Sequence, residues 1–280
     1  MISENRIIYS NGGTLTDYSK ELNDLYAQPV TLTITSDDYM YIGGPLPFNH
    51  RYVEVSTANA NAGSISVDLW NGSEWKAAID VLDYTSVSGK TLAQSGLIAW
   101  TPDWDVSNWS YDDTDEMTSS GLSTGPKIGA FYWARLSVSA DTSATVLKYI
   151  YFKFSEDADL VIQYPEFNNS SLKTAFAAGK SDWKDQAVAA SEYILRDLRA
   201  MNVMVSPNQI LDWQLFKMAS IHKTAELIYT AFGDDYTDDK TEARKAYQQA
   251  LQLKFFNLDS NKDATLDPKE RRALSTFVTR

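Results

Sequence analysis

The sequence predicts an α+β chain of two domains, with an antiparallel β-sandwich or jelly roll over residues 1–165 and a four-helix bundle over residues 166–280. Three observations carry this. Up to Pro165, short runs alternate apolar and polar residues and are separated by clusters of Gly, Pro, Asn and Ser. From Glu166 onward, apolar residues recur at the three- and four-residue spacing of helices. The charge changes at the same place. There are 21 Asp+Glu and 9 Lys+Arg up to Pro165 but 16 of each thereafter, so the whole net charge of −12 belongs to the first part.

Taken in order, "VTLTIT", "RYVEVST", "SISVDLW", "FYWARLSVSA" and "TVLKYIYFKF" read as strands rich in Val, Ile, Tyr and Trp. The segments "IGGPLPFN", "ANANAGS" and "SVSGK" supply turns. In "SISVDLWNGSEWKAAIDV", Asn71-Gly72 joins two alternating runs and signals a hairpin. Trp70, Trp100 and Trp133 lie in strand-like runs and are expected in the core. The stretch "WTPDWDVSNWSYDDTDEMTSSGLSTG" has no period and reads as a long surface loop. Trp104 and Trp109 within it either stand in solvent, where they would stack on sugar rings or anchor an interface, or fold back onto the sheet.

In the second part, "SDWKDQAVAASEYILRDLRAMN" places Trp183, Ala187, Ile194, Leu195 and Leu198 near one helical face. "VSPNQILDWQLFKMASIHKTAELIYTAF" opens with Ser206 as N-cap, Pro207 in the first turn and Gln209 three residues on, a capping-box pattern. Gly233 is the expected stop. "DDYTDDK" reads as an acidic turn before a third helix, "TEARKAYQQALQLKFFNL", and "DPKERRALSTFV" reads as a fourth.

Composition excludes several chemistries. The chain has no cysteine, which removes disulfides, thiolate catalysis and zinc–thiolate sites. No P-loop, dinucleotide fingerprint or G-x-S-x-G motif occurs. Of the two histidines, His50 lies in a turn-rich stretch and His222 in a helix, the latter read as a packing residue. A net charge of −12 opposes a nucleic-acid-gripping role. The N-terminus lacks the apolar stretch of a signal peptide, and no segment reaches a bilayer span, so the expectation is a soluble protein made in the cytoplasm; with the catalytic motifs missing, it is expected not to be an enzyme.

One motif carries possible metal chemistry. In residues 259–270, Asp259, Asn261 and Asp263 offer side-chain oxygens at alternate positions. Thr265 offers a carbonyl, Asp267 a further oxygen, and Glu270 a closing carboxylate. Ala264 stands where such loops place glycine, because the chain there takes positive φ. Two readings stay open. One is a loop holding Ca2+ as a structural staple; the other is an acidic turn in which Asp259 and Asp267 cap backbone amides.

From about Asp182 to Arg272, the order of "AVAASEYILRDLRAMN", "VSPNQILDWQLFKMASIHKTAELIYTAF" and "KAYQQALQLKFFNLDSNKDATLDPKE" resembles the head–tail connector (neck adaptor) proteins of tailed bacteriophages. The first part is similar to β-sandwich decoration domains of phage neck and tail proteins. The resemblance implies a virion component that forms a ring, commonly a dodecamer, between the portal protein and the next neck or tail protein. DNA would pass through its channel, no membrane would be involved, and no catalytic residue carries over. It implies a partner-binding C-terminus, here Arg271, Arg272, Phe277 and Arg280. The alternative is a carbohydrate-binding module with a dockerin-like calcium segment and Trp104 and Trp109 as its sugar platform.

Overall fold

The computed structural model describes residues 5–101, 109–112, 131–252, 255–257 and 271–273. They fall into two compact units that divide between Tyr151 and Phe152.

The first unit contains two antiparallel sheets. Strands β1 (Arg6–Asn11), β2 (Thr14–Asp17), β4 (Tyr39–Gly44), β6 (Ile65–Trp70), β7 (Trp75–Ala77) and β11 (Phe131–Val138) run in the order β2-β1-β4-β11-β6-β7. A short strand, β10 (Tyr111–Asp112), pairs with one end of β11. The second sheet has the order β3-β12-β5-β9-β8, from β3 (Val30–Leu32), β12 (Thr145–Tyr151), β5 (His50–Thr57), β9 (Gly96–Thr101) and β8 (Ile79–Asp83). A one-turn helix, α1 (Ser19–Leu22), follows β2, and the Asp17 carboxylate accepts the Ser19 backbone N–H at 2.9 Å.

Period-two alternation places one set of side chains between the sheets. Ile7, Met40, Ile42, Val67, Leu69 and Leu136 of the first sheet join Leu32, Val53, Ile98, Leu147 and Ile150 of the second in a single hydrophobic cluster. Each such side chain contributes roughly 1.5–3 kcal/mol when withdrawn from water. An apolar void of about 20 Å3 among Ile34, Met40, Val53, Leu92 and Ile98 is little larger than one water and offers it no hydrogen-bond partner.

The Asn71-Gly72 hairpin forms between β6 and β7, with Trp70 opposite Trp75. Its loop has four residues, because the Asn71 side-chain oxygen accepts the backbone N–H groups of both Ser73 (2.9 Å) and Glu74 (2.8 Å). Gly72 supplies the positive φ, 94°, that this turn requires.

The second unit begins ahead of the charge break at Pro165, since the acidic residues Glu156, Asp157 and Asp159 open its first helix, α2 (Asp157–Gln163). Then follow α3 (Ser170–Phe176), α4 (Lys184–Ala200), α5 (Lys217–Phe232) and α6 (Thr237–Leu251). Helix α5 packs against both α4 and α6. Trp183, Ile221, Ala225, Ile228, Tyr229 and Ala243 form its core with Leu160 and Phe167. The five residues expected on the inner face of the first long helix, Trp183 to Leu198, are all buried.

Three sequence expectations change here. The capping box at Ser206 and Gln209 forms, but it closes only a 3-10 turn, Pro207–Gln209. Ile210 and Leu211 are buried, and Ile210 and Asp212 have extended backbone; Asp212 then caps a second turn, Trp213–Phe216, so α5 starts at Lys217. The acidic turn is largely helix: Asp238 and Asp239 lie in the first turn of α6, where the helix dipole favours negative charge. Gly233 does stop α5, with φ 77°.

The third difference concerns the C-terminal helices. Helix α6 ends at Leu251 instead of running to Leu258, and Phe255–Asn257 is a strand, β13. It pairs antiparallel with β14 (Arg271–Ala273), which lies where the fourth helix was expected. Two adjacent phenylalanines favour extended backbone, and Arg271–Ala273 is recruited as their ladder partner.

Candidate functional site

Among the described residues of the second unit, a group of ionisable side chains spans α4, α5 and α6. A spacing of three puts Lys223 and Glu226 on one face of α5. Glu226 accepts from Lys223 Nζ at 2.8 Å through Oε2 and from Arg244 Nε at 2.7 Å through Oε1. Burial alone would raise the Glu226 pKa, but these two cations hold it below the usual carboxylate range. The Lys223 ammonium also sits 4.5 Å from the Tyr193 ring centre and 5.0 Å from that of Tyr247. Tyr247 donates its hydroxyl to Asp197 Oδ2 at 2.7 Å, and burial with this bond drives its pKa upward. These shifts hold Glu226 ionised and Tyr247 neutral, and the contacts of the cluster pin three helices together.

A second group lies between the start of this unit and α5. The Tyr164 hydroxyl and His222 Nδ1 are 2.8 Å apart, and Tyr229 donates to Glu166. Burial raises Tyr164 to about 12 and lowers His222. His222 is therefore a neutral packing residue at pH 7. Among the described residues its hydrogen-bond partner is the Tyr164 hydroxyl and not a serine or threonine.

In the first unit, His50 and Arg51 are both wholly buried at the start of β5. Arg51 donates through Nε to Asn5 Oδ1 at 3.0 Å and through Nη1 to the His50 carbonyl at 2.7 Å, and its guanidinium lies 3.7 Å from the Phe48 ring centre. Desolvation lowers Arg51 to about 9. It lowers His50 to about 3, with the neighbouring Arg51 charge acting in the same direction. Asn49 Oδ1 can only accept, so the 2.8 Å contact fixes the neutral tautomer of His50 with its proton on Nδ1.

The first sheet also carries large side chains on its outer face. The registers align Ile8, Tyr41, Arg135 and Asp68 in one row across β1, β4, β11 and β6. Gly43 lies beside Trp133 and Trp70 beside Trp75 in the next. Trp133 covers Gly43 so closely that a Cβ there would lie 2.6 Å from its ring. Ile8, Leu15, Tyr41, Trp70, Phe131 and Trp133 form a buried cluster with Tyr39 and Trp75 partly exposed at its margin. Arg135 reaches across this margin, 4.5 Å from the Tyr39 ring centre and 4.7 Å from that of Trp75, and its Nη2 meets Asp68 Oδ2 at 2.9 Å.

The sequence-predicted site residues are distributed differently. Trp109 is a core residue and not a surface platform. Its indole donates to the Trp133 carbonyl at 2.9 Å, and its ring packs edge-on against Phe48, Trp100 and Tyr132. The segment expected to be an irregular loop is thus drawn into the sheet at residues 109–112. Trp104, Phe277, Arg280 and the calcium-loop positions Asp259, Asn261, Asp263, Thr265, Asp267 and Glu270 lie outside the described residues. Arg271 and Arg272 are on β14, so the stretches bracketing the acidic loop are strands where helices were expected.

Among the described residues, no group of three His, Asp or Glu side chains is placed to hold a metal ion. Among the same residues, no helix is long and apolar enough to cross a membrane. Sequence reading missed the Tyr39–Arg135–Trp75 margin. The available signal was "FYWARLSV", in which large residues occupy both alternating sets, so neither face of β11 is plainly solvent. No known protein family, characterised protein or solved structure matches the chain.

Proposed function

We propose that the chain is a structural virion protein, a head–tail adaptor that joins identical copies in a ring between the portal protein and the next neck or tail protein. The observation that carries this reading is how the helical unit spends its side chains. Its buried charges are consumed in holding α4, α5 and α6 together. Large apolar side chains, Ile162, Met201, Val205 and Met218, stand exposed instead. At a boundary between copies these side chains would be withdrawn from water, which favours association.

The strand orders support the finer fold reading. β3-β12-β5-β9 and β4-β11-β6-β7, taken in chain order, follow the two sheets of a jelly roll, an architecture common in capsid and lectin domains. Ca2+ held by residues 259–270 would brace the C-terminal segment, whose ends β13 and β14 bring together.

The test is to look for a portal gene beside this one and to co-express its product with the chain, followed by size-exclusion chromatography and negative-stain imaging. The expected result is a monomer alone and a ring, twelve-fold on the resemblance, on the portal. Absence of a complex, together with absence of the chain from purified particles, overturns the reading.

A further inference from the structure

We propose that the outer face of the β2-β1-β4-β11-β6-β7 sheet binds a neutral carbohydrate at the partly exposed margin of Tyr39, Asp68, Trp75 and Arg135, which borders the buried Trp70 and Trp133. The first reason is a set of unmet donors. The indole N–H groups of Trp70, Trp75 and Trp133 are buried, and among the described residues none finds an acceptor. Two packing indoles in this protein are given a carbonyl by the fold, Trp109 (to Trp133) and Trp183 (to Phe167). Trp100 is a fourth unmet indole, but it lies apart in the intersheet core. Three in one cluster, with the ring of Trp75 reaching its exposed margin, mark a place that suits a ligand rich in oxygen acceptors.

The second reason is the combination of groups at that margin. A sugar ring presents an apolar C–H face ringed by hydroxyls. Aromatic faces stack on the former, while indole and guanidinium donors and a carboxylate acceptor meet the latter. Arg135 is already held between Tyr39 and Trp75 and paired with Asp68, so these groups need little ordering on binding. A purely apolar ligand would leave the indoles unmet. Anionic ligands are opposed by the charge of the first part of the chain, 21 acidic residues against 9 basic.

The experiment is isothermal titration of the full-length protein with neutral hexasaccharides of glucose, mannose, xylose and N-acetylglucosamine. Binding of at least one is expected, weakened tenfold or more by Trp75→Ala and by Tyr39→Ala with the circular dichroism unchanged. Tyr84→Ala, at an exposed aromatic remote from the cluster in sequence, should bind as the unmodified protein does. Asp68→Asn, which keeps the side-chain shape, is the second variant should Trp75→Ala unfold, and the same loss is expected of it. The proposal is overturned if the folded protein binds none of the four sugars, or if binding survives these substitutions.

Discussion

Protonating His50 should cost the first unit stability in a defined pH window. The side chain is wholly buried, its Nδ1–H is committed to Asn49, and the Arg51 guanidinium follows it in the chain. Its pKa therefore falls from the ordinary 6.5 to about 3. Above about pH 6.5 the imidazole is neutral whether the chain is folded or not. Between about 6.5 and 3 the unfolded chain binds a proton that the folded chain refuses, so stability drops as the pH is lowered. The slope is about 1.4 kcal/mol per pH unit. At pH 5 that amounts to about 2 kcal/mol relative to pH 7.5. Urea denaturation followed by tryptophan fluorescence at the two pH values, on the unmodified protein and on His50→Gln, isolates this term because all other titrations are shared. The variant should lose about 2 kcal/mol less on acidification than the unmodified protein. Equal losses would refute the reasoning, since they would mean that the imidazole charges without unfolding the strand that buries it.

Other substitutions test the packing. Glu226→Gln leaves Lys223, with its side chain only 11% exposed, facing a neutral amide. Breaking a fully buried pair costs roughly 3–5 kcal/mol. Because Arg244 is 56% exposed and can rehydrate, about 2–3 kcal/mol is expected, read by urea denaturation at pH 7. Gly96→Ala should be worse than Gly43→Ala, because its Cβ would meet the Tyr84 carbonyl at 2.3 Å whereas that of Gly43 meets the movable Trp133 ring; thermal melting of the two variants decides this. If residues 259–270 hold Ca2+, saturating calcium should raise the melting temperature and Asp259→Ala should abolish the rise. At one hundred times the dissociation constant the gain is about 2.7 kcal/mol. An identical melt in calcium and in chelator would remove the metal reading.

How much could be read beforehand depended on whether local chemistry or a distant partner decides an element. Strands β6 and β12 and helix α4 were legible because their own periodicity sets which face is buried. Strands β5 and β11, with both faces largely buried, were legible from their aromatic and β-branched residues. Gly233 was legible because positive φ is a local demand. The start of α5 was not. The capping box at Ser206 is satisfied locally, yet burial of Ile210 and Leu211 straightens the chain before a helix can propagate. The C-terminal ladder was hidden for another reason. Nothing in Arg271–Ala273 favours a strand, and only the partner segment at Phe255–Asn257 makes it one. Trp109 was ambiguous because its acceptor, the Trp133 carbonyl, is twenty-four residues away.

The same distinction bears on assembly. Residues 166–280 balance their charges, 16 against 16, and the buried carboxylate Glu226 is settled with cations. Residues 1–165 pair one buried cation, Arg6, with Asp17, keep another, Arg51, among amide and carbonyl oxygens, and carry the net charge of −12 in full. In a ring on a portal, these two strategies predict different salt responses. Contacts made by the balanced helical units would change little between low and high salt, provided the acidic parts of neighbouring copies stay farther apart than the screening length, about 10 Å at 0.1 M. Contacts that press the acidic parts together would strengthen steeply as salt is added, because repulsion between like-charged neighbours is what salt removes. Sedimentation of the portal complex across 50 to 500 mM sodium chloride, a range of about tenfold in ionic strength, separates the two. We expect the flat profile. A ring that forms only at high salt would place the acidic part, and not α4 to α6, at the subunit boundary.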